Sequence, residues 1–252
     1  MSYTVAHQME KHGPFFEGDV ILTNHPGCGG SHLPDITVIT PVFYQSQIAF
    51  FTACRAHHAD IGGVLAGSMP PNSKWLFEEG AAIKSLKIVR NGEFDFKAVQ
   101  KAFVEEPSSY PGCDGCRNFR YIDMSCQNYK DFSDTVSDLK AQIAANQRGV
   151  YLMENLIQEF GLQVVVNNMT YVRNSAELAV RNLIKRTSET YGSVLSAEDF
   201  MDDGSCIRLT IRMNADDGSA SFDFNGTSPQ VFGNWNAPKA VILPYSCLLS
   251  RL

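Results

Sequence analysis

No apolar run in this 252-residue chain approaches the roughly 18–20 residues that a membrane-spanning helix needs, so a bilayer partner is not expected. There is no dense run of Lys or Arg either. With 21 basic against 27 acidic residues the net charge is −6, which argues against a nucleic-acid surface. The first residues, MSYTVAHQMEKHG, lack the apolar stretch of a secretory signal. The glycine-rich turn Gly27 to Gly30 is not followed by the Lys-Ser/Thr pair of a phosphate-binding loop, and no ATP site is found elsewhere. The seven cysteines are odd in number and widely spaced, which points to free thiols in a reducing, cytoplasmic compartment. Cys113 and Cys116 form a single CxxC with no second pair, so they read as two loop cysteines before they read as a zinc site. What is present is globular: 44% hydrophobic and 19% charged residues, enough for one large domain or two small ones.

Histidine is concentrated. Four of the six, His25, His32, His57 and His58, lie between Gly18 and Gly63. Asn24, His25, His32 and Asp35 follow one apolar strand, and His57, His58 and Asp60 end another. Imidazole and carboxylate together suit a divalent metal or acid/base chemistry. Alternation along a strand puts His58 and Asp60 on one face and His57 on the other, and a turn at Ala59 would break that parity.

The remaining pattern predicts a mixed α+β fold, with strands and hairpins packed against a long helical hairpin. A helix is expected over Ser2 to Gly13 with Val5, Ala6 and Met9 inward. Strands are expected over Asp19 to Thr23, Ile36 to Phe43 and Ile48 to Cys54, the last two paired and buried on both faces. A strand over Ile83 to Val89 should end at the turn Asn91-Gly92. Helical spacing then runs from Asp95 to Glu105, with Phe96, Val99, Ala102 and Phe103 inward. An irregular stretch from Pro107 to Asp134 precedes two long helices. The first, Thr135 to Phe160, has an apolar stripe (Leu139, Ile143, Val150, Met153, Leu156, Ile157) and a polar one, Asp138, Gln142 and Asn146, at i, i+4 and i+8. That polar stripe is either solvated or lines a pocket. The second, Leu162 to Thr190, should turn Val166, Met169, Val172, Ala176, Ala179, Leu183 and Ile184 inward. Strict alternation over Ser205 to Asn214, answered by Ser221 to Asn225, predicts a hairpin with one buried face.

The blocks GDVILTNHP, GGSHLPDITVITPVF, RAHHADIGG, GSMPP, SDLKAQIAANQRG, AELAVRN, MDDGS and FDFNGTSPQVFGNWNAPKAV together resemble the hydantoinase B family. The resemblance is closest to the hydantoinase-B-like, C-terminal part of its 5-oxoproline-opening members and covers nearly the whole chain. It implies a partial domain over residues 1–252, cut at both ends, with residues 121–133 inserted. It further implies ATP-dependent opening of the cyclic amide 5-oxo-L-proline to L-glutamate. A kinase-like, hydantoinase-A-like half, on the same or a separate chain, would bind ATP with Mg and phosphorylate the lactam oxygen. The part seen here would then hydrolyse the activated ring, within a homo-oligomeric full enzyme. Acetone carboxylase, a relative, carries a metal in its hydantoinase-B-like subunit. A divalent metal, manganese or zinc, is therefore expected at His32, Asp35, His57, His58 and Asp60, though not all need be ligands. His57, His58 and Asp60 are the expected catalytic groups, with Asn24, Asp138, Gln142 and Asn146, and more weakly Glu79, around the pocket. The alternatives are a hydantoinase or acetone-carboxylase-type subunit, or an inactive fragment that only binds the kinase-like partner.

Overall fold

The computed structural model describes residues 1–110 and 130–242. The Cys113/Cys116 pair and most of the expected insertion at 121–133 lie outside the described residues. The chain divides into two units. The first holds Met1–Asn155 with Phe232–Val241, and the second holds Leu156–Val231. The mixed α+β class expected from the sequence holds, with antiparallel sheets and long helices.

The first unit is built on an antiparallel sheet in the order β3-β2-β1-β4-β5. Its strands are β1 (Val20–Thr23), β2 (Asp35–Tyr44), β3 (Gln47–His57), β4 (Leu86–Arg90) and β5 (Glu93–Phe94). The β4–β5 turn is Asn91-Gly92, with φ of 50° and 81°, the paired left-handed geometry that Asn-Gly favours. Both faces of the sheet are covered, which is why the inner strands are almost continuously apolar. On one face Val20, Leu22, Ile36, Val38 and Ile88 pack against the helical segments. These are α2 (Phe96–Gln100), the π-helical turn Lys101–Glu105, α3 (Glu106–Ser108) and α4 (Lys130–Phe160). On the other face Ile21 and Ile39 meet Phe15 and Val5, the latter from α1 (Ser2–His12).

Three expectations about burial are corrected. β2 is buried on both faces, but β3 is an edge strand, half-buried from Ala49 to Ala56 and exposed at both ends. In α1 the buried residues are Thr4 and Gln8, while Met9 and Ala6 face outward. Polar side chains can hold that face because each finds a backbone partner: Thr4 Oγ1 donates to Gly29 O at 2.7 Å and Gln8 Nε2 to Lys84 O at 2.8 Å. After the cap Asp95, Val99, Ala102 and Phe103 are buried as expected, but Phe96 is 40% exposed because it opens the helix at its rim.

α4 begins at Lys130, ahead of the expected Thr135, and Leu139 and Ile157 of its apolar stripe are buried. Of its polar stripe, Gln142 and Asn146 turn towards the sheet and Asp138 is exposed. Asn146 Nδ2 donates to Val38 O (3.0 Å) and Thr40 Oγ1 (3.2 Å), and Gln142 Nε2 to Ile36 O (3.1 Å). A methyl group at Gly149 would stand 2.9 Å from Thr52 Cγ2, so glycine allows the close approach of helix and edge strand. The expected helical hairpin is divided between the units, α4 up to Asn155 in the first and α5 (Leu162–Tyr191) in the second.

In the second unit α5 is accompanied by an antiparallel sheet, β6 (Val194–Phe200), β7 (Cys206–Met213) and β8 (Ala220–Asp223). The β7–β8 hairpin was expected; β6 was not. Of the face expected inward on β7, Met213 is buried, Leu209 and Ile211 are half-buried and Ile207 is exposed. In the turn between them Gly218 (φ 68°) lies so close to α5 that a Cβ would stand 2.4 Å from Arg181 O. The expected inward face of α5 holds only towards its C-terminus, where Ile184 is buried. Val166, Met169 and Val172 are 37%, 44% and 72% exposed, because the sheet meets the helix near Arg181 and Lys185, which donate to Asp217 O and Asp216 O.

Asn24 closes the end of β1. Its Nδ2 donates to Leu33 O and Ala81 O, and its Oδ1 accepts from Ile83 N, all at 2.7 Å and fully buried. Both amide hydrogens and the carbonyl are thus engaged with backbone. Asn24→Ala leaves three buried backbone groups unpaired and is expected to cost about 3 kcal/mol or more, read as a lower denaturation midpoint with an unchanged slope.

Candidate functional site

The β2–β3 ladder brings two chain-distant groups to one place. Asp35, the first residue of β2, stands opposite His57, the last of β3. His32 reaches the same point from the loop before β2, its Nδ1 3.4 Å from Asp35 Oδ2. Ser31 Oγ donates to that oxygen at 2.6 Å. The His32 and His57 rings lie against each other, centroids 5.0 Å apart and tilted by 41°. The proline at 34 and the bond from Asp35 N to His32 O shape the loop that makes this approach.

His58 is placed differently. Its backbone N donates to Pro34 O at 2.9 Å, and its ring is 1% exposed with Nε2 3.0 Å from Gln142 Oε1. Gln142 uses its amide hydrogens on Ile36 O, so its oxygen faces the ring. The ring hydrogen therefore belongs on Nε2, and Nδ1 presents a lone pair. No protein group meets that atom among the described residues. Burial holds the His58 pKa below the usual range, against the opposing pull of Gln142 and Asp138, so the ring is neutral at pH 7.

The other expected residues divide by role. Asp60 Oδ1 accepts from Gly62 N at 2.8 Å and shapes the turn after His58. Asp138 is exposed on α4 and reaches His58 only through its charge. Asn24 is fully engaged with backbone, the Asn146 amide nitrogen is spent on Val38 O and Thr40 Oγ1, and Gln142 orients His58. The expected metal set thus separates into His32, Asp35 and His57 in one cluster, His58 turned to α4, and Asp60 on the loop. These five do not form a group of three with ligand atoms all within 4.8 Å; among the described residues such a group is His7, His12 and Cys28. Two imidazoles and a carboxylate at one strand end still form a donor set suited to a borderline divalent ion. The unpartnered His58 Nδ1 is a further nitrogen of the right kind.

Two groups were undervalued in the sequence. Arg55 precedes His57 by two on β3. It is half-buried and donates to Thr37 Oγ1, Thr4 Oγ1 and Gly29 O. Burial lowers its pKa while Asp35 opposes the shift, and an arginine remains cationic at any pH of interest. The signal was its parity with His57. Glu79 lies beside the turn after Asp60, where Gly62 bridges to Gly80. Burial first, and the charge of Glu78 second, push its carboxyl above the ordinary range.

A family profile described as Hydantoinase B/oxoprolinase matches residues 1–251. The chain belongs to this family. It is similar to 5-oxoprolinase 1 of Arabidopsis thaliana, 49% identical over 96% of this chain and 19% of that protein. It is similar also to 5-oxoprolinase of Saccharomyces cerevisiae, at 46% over 91% and 17%. The chain therefore spans under a fifth of the length of these curated relatives. Among solved structures, an ATP-dependent caprolactamase from Pseudomonas jessenii superposes with a TM-score of 0.73 at 23% identity, covering 95% of this chain and 37% of the other. An acetone carboxylase superposes at 0.70 and 16%, covering 96% and 30%. Such identities carry the fold alone. No helix among the described residues is long and apolar enough to cross a membrane.

Two expectations follow from the site. In nitrogen-15 spectra at pH 7, His58 should be the neutral Nε2–H tautomer, and Gln142→Leu should mix the tautomers; a wild-type ring protonated on Nδ1 would contradict the arrangement. For Glu79 the folded pKa lies above the unfolded one, so its ionisation costs stability as pH rises through that window. Glu79→Gln should raise Tm at pH 7, with the gain vanishing below about pH 4, where both states are protonated.

Proposed function

We propose that this chain is the hydrolytic portion of an ATP-dependent 5-oxoprolinase, opening 5-oxo-L-proline to L-glutamate after a kinase-like portion has phosphorylated the lactam. What carries the reading is the convergence of His32, Asp35 and His57, beside a neutral His58 with a free Nδ1, in a chain 43–49% identical to proteins named 5-oxoprolinase. ATP with Mg would bind the kinase-like portion.

Amide resonance makes the lactam a poor electrophile. Phosphorylation of its oxygen removes that resonance and supplies a leaving group. Water then adds to the ring carbon, the C–N bond breaks with a proton delivered to nitrogen, and a second water releases phosphate. His32, Asp35 and His57 would hold a divalent metal, which when bound would acidify a water and polarise the ring carbon's oxygen. His58 Nδ1, sealed until substrate binding uncovers it, would then be the base that accepts the proton of the incoming water, its tautomer held by Gln142. The Arg55 guanidinium offsets negative charge that builds at the same strand end. The half-buried Glu79 is the group suited to return a proton to the leaving nitrogen.

The test uses the complete enzyme. His57→Ala and His58→Ala should lower glutamate formation at least about 100-fold while ADP formation from ATP and 5-oxoproline continues. Loss of divalent metal in His32→Ala and His57→Ala, with circular dichroism unchanged, should accompany it. Full glutamate yield in both His57→Ala and His58→Ala would refute the assignment.

A further inference from the structure

We propose that His7, His12 and Cys28 bind a divalent cation of the zinc class, apart from the His32–Asp35–His57 cluster, and clip helix α1 to the turn at the end of β1. The three offer one ligand atom each, all within 4.8 Å of one another. On a tetrahedral zinc such atoms stand about 3.3–3.6 Å apart, as bonds of about 2.0 Å to nitrogen and 2.3 Å to sulfur require. The remaining closure is at most about 1.5 Å, and both histidines are only half-buried. The His7 and His12 rings already lie 5.7 Å apart, and Cys28 is held in the 3-10 turn Pro26–Cys28.

The approach of helix and turn is built into the backbone. Gly29 has φ of 91°, and a Cβ there would stand 2.7 Å from Thr4 Cα, so only glycine lets α1 lie this close. Thr4 Oγ1 and Arg55 Nη2 both donate to Gly29 O, and Gln8 Nε2 pins the next helical turn to Lys84 O. Two anchored elements thus present a thiol and two imidazoles to one point without relying on the metal for their placement. Thiolate with two imidazoles selects zinc over magnesium or calcium, and the half-exposed rim leaves the fourth position to water.

Cobalt(II) is the probe, because a thiolate ligand gives it an intense near-ultraviolet charge-transfer band that imidazole and carboxylate do not. The purified chain should bind one equivalent showing that band, and zinc should displace it. Cys28→Ser should abolish the band. His7→Gln and His12→Gln, both at half-exposed positions where folding is not at stake, should each weaken cobalt binding at least about tenfold. His57→Ala should leave the band unchanged, which separates this site from the proposed catalytic one. Absence of the band in the wild type, its survival in Cys28→Ser, or undiminished affinity in both glutamine variants would overturn the proposal.

Discussion

The amide of Asn24 is the constraint on which the rest of the first unit depends. β1 is only four residues long, and the chain leaves it into a turn, a loop and then β2. Three buried hydrogen bonds from one side chain tie that exit to Leu33 on one side and to Ala81 and Ile83 on the other. The loop carrying His32 is held at one end by the Asn24 bond to Leu33, and the segment leading to β4 by the other two. A side chain without two donor hydrogens and an acceptor in one planar amide could not do the same. An asparagine at the end of an apolar strand therefore serves the site without touching its chemistry.

Burial at the site follows from the topology of the sheet. β3 is an edge strand, so His57 at its end keeps access to solvent, while His58, one residue on, crosses under α4 and is sealed. Adjacent residues in the chain thus meet opposite environments, one open to an incoming molecule and one dry enough to hold a neutral ring. The parity of an extended strand is enough to produce this division. No separate loop or domain is needed to create two kinds of imidazole within 4 Å of backbone.

Much of this was legible in the sequence, and the limits have a common cause. The β2–β3 hairpin, the Asn91-Gly92 turn and the β7–β8 hairpin are signalled by local chemistry, and the gathering of His32, Asp35 and His57 was implied by their places at strand ends. The misread residues were polar ones buried by distant partners. Thr4 and Gln8 displaced Met9 from the inner face of α1 because Gly29 O and Lys84 O were waiting for donors. Gln142 and Asn146 could have been solvated, and only the carbonyls of β2 decide otherwise. α5 failed for the opposite reason: its apolar pattern was clear, but within its own unit the sheet covers only part of its length. Periodicity names a face; it does not say what will cover it.

The bonds from α4 to β2 amount to a vernier between two periodic structures. Four residues of helix advance about 6.0 Å and two residues of strand about 6.6 Å. Gln142 meets Ile36 and Asn146 meets Val38, so two divisions coincide within the tolerance of a long side chain. The scales drift by about 0.6 Å at each further step. The next division towards the N-terminus would set Asp138 against Pro34, but a carboxylate has no hydrogen to give a carbonyl, and Pro34 O accepts from His58 N instead. There the coincidence ends and the aspartate is left outside. A slip of α4 by one residue would unmake both surviving matches at once and rotate Gln142 away from His58. Helix phase and histidine tautomer are therefore set by the same adjustment.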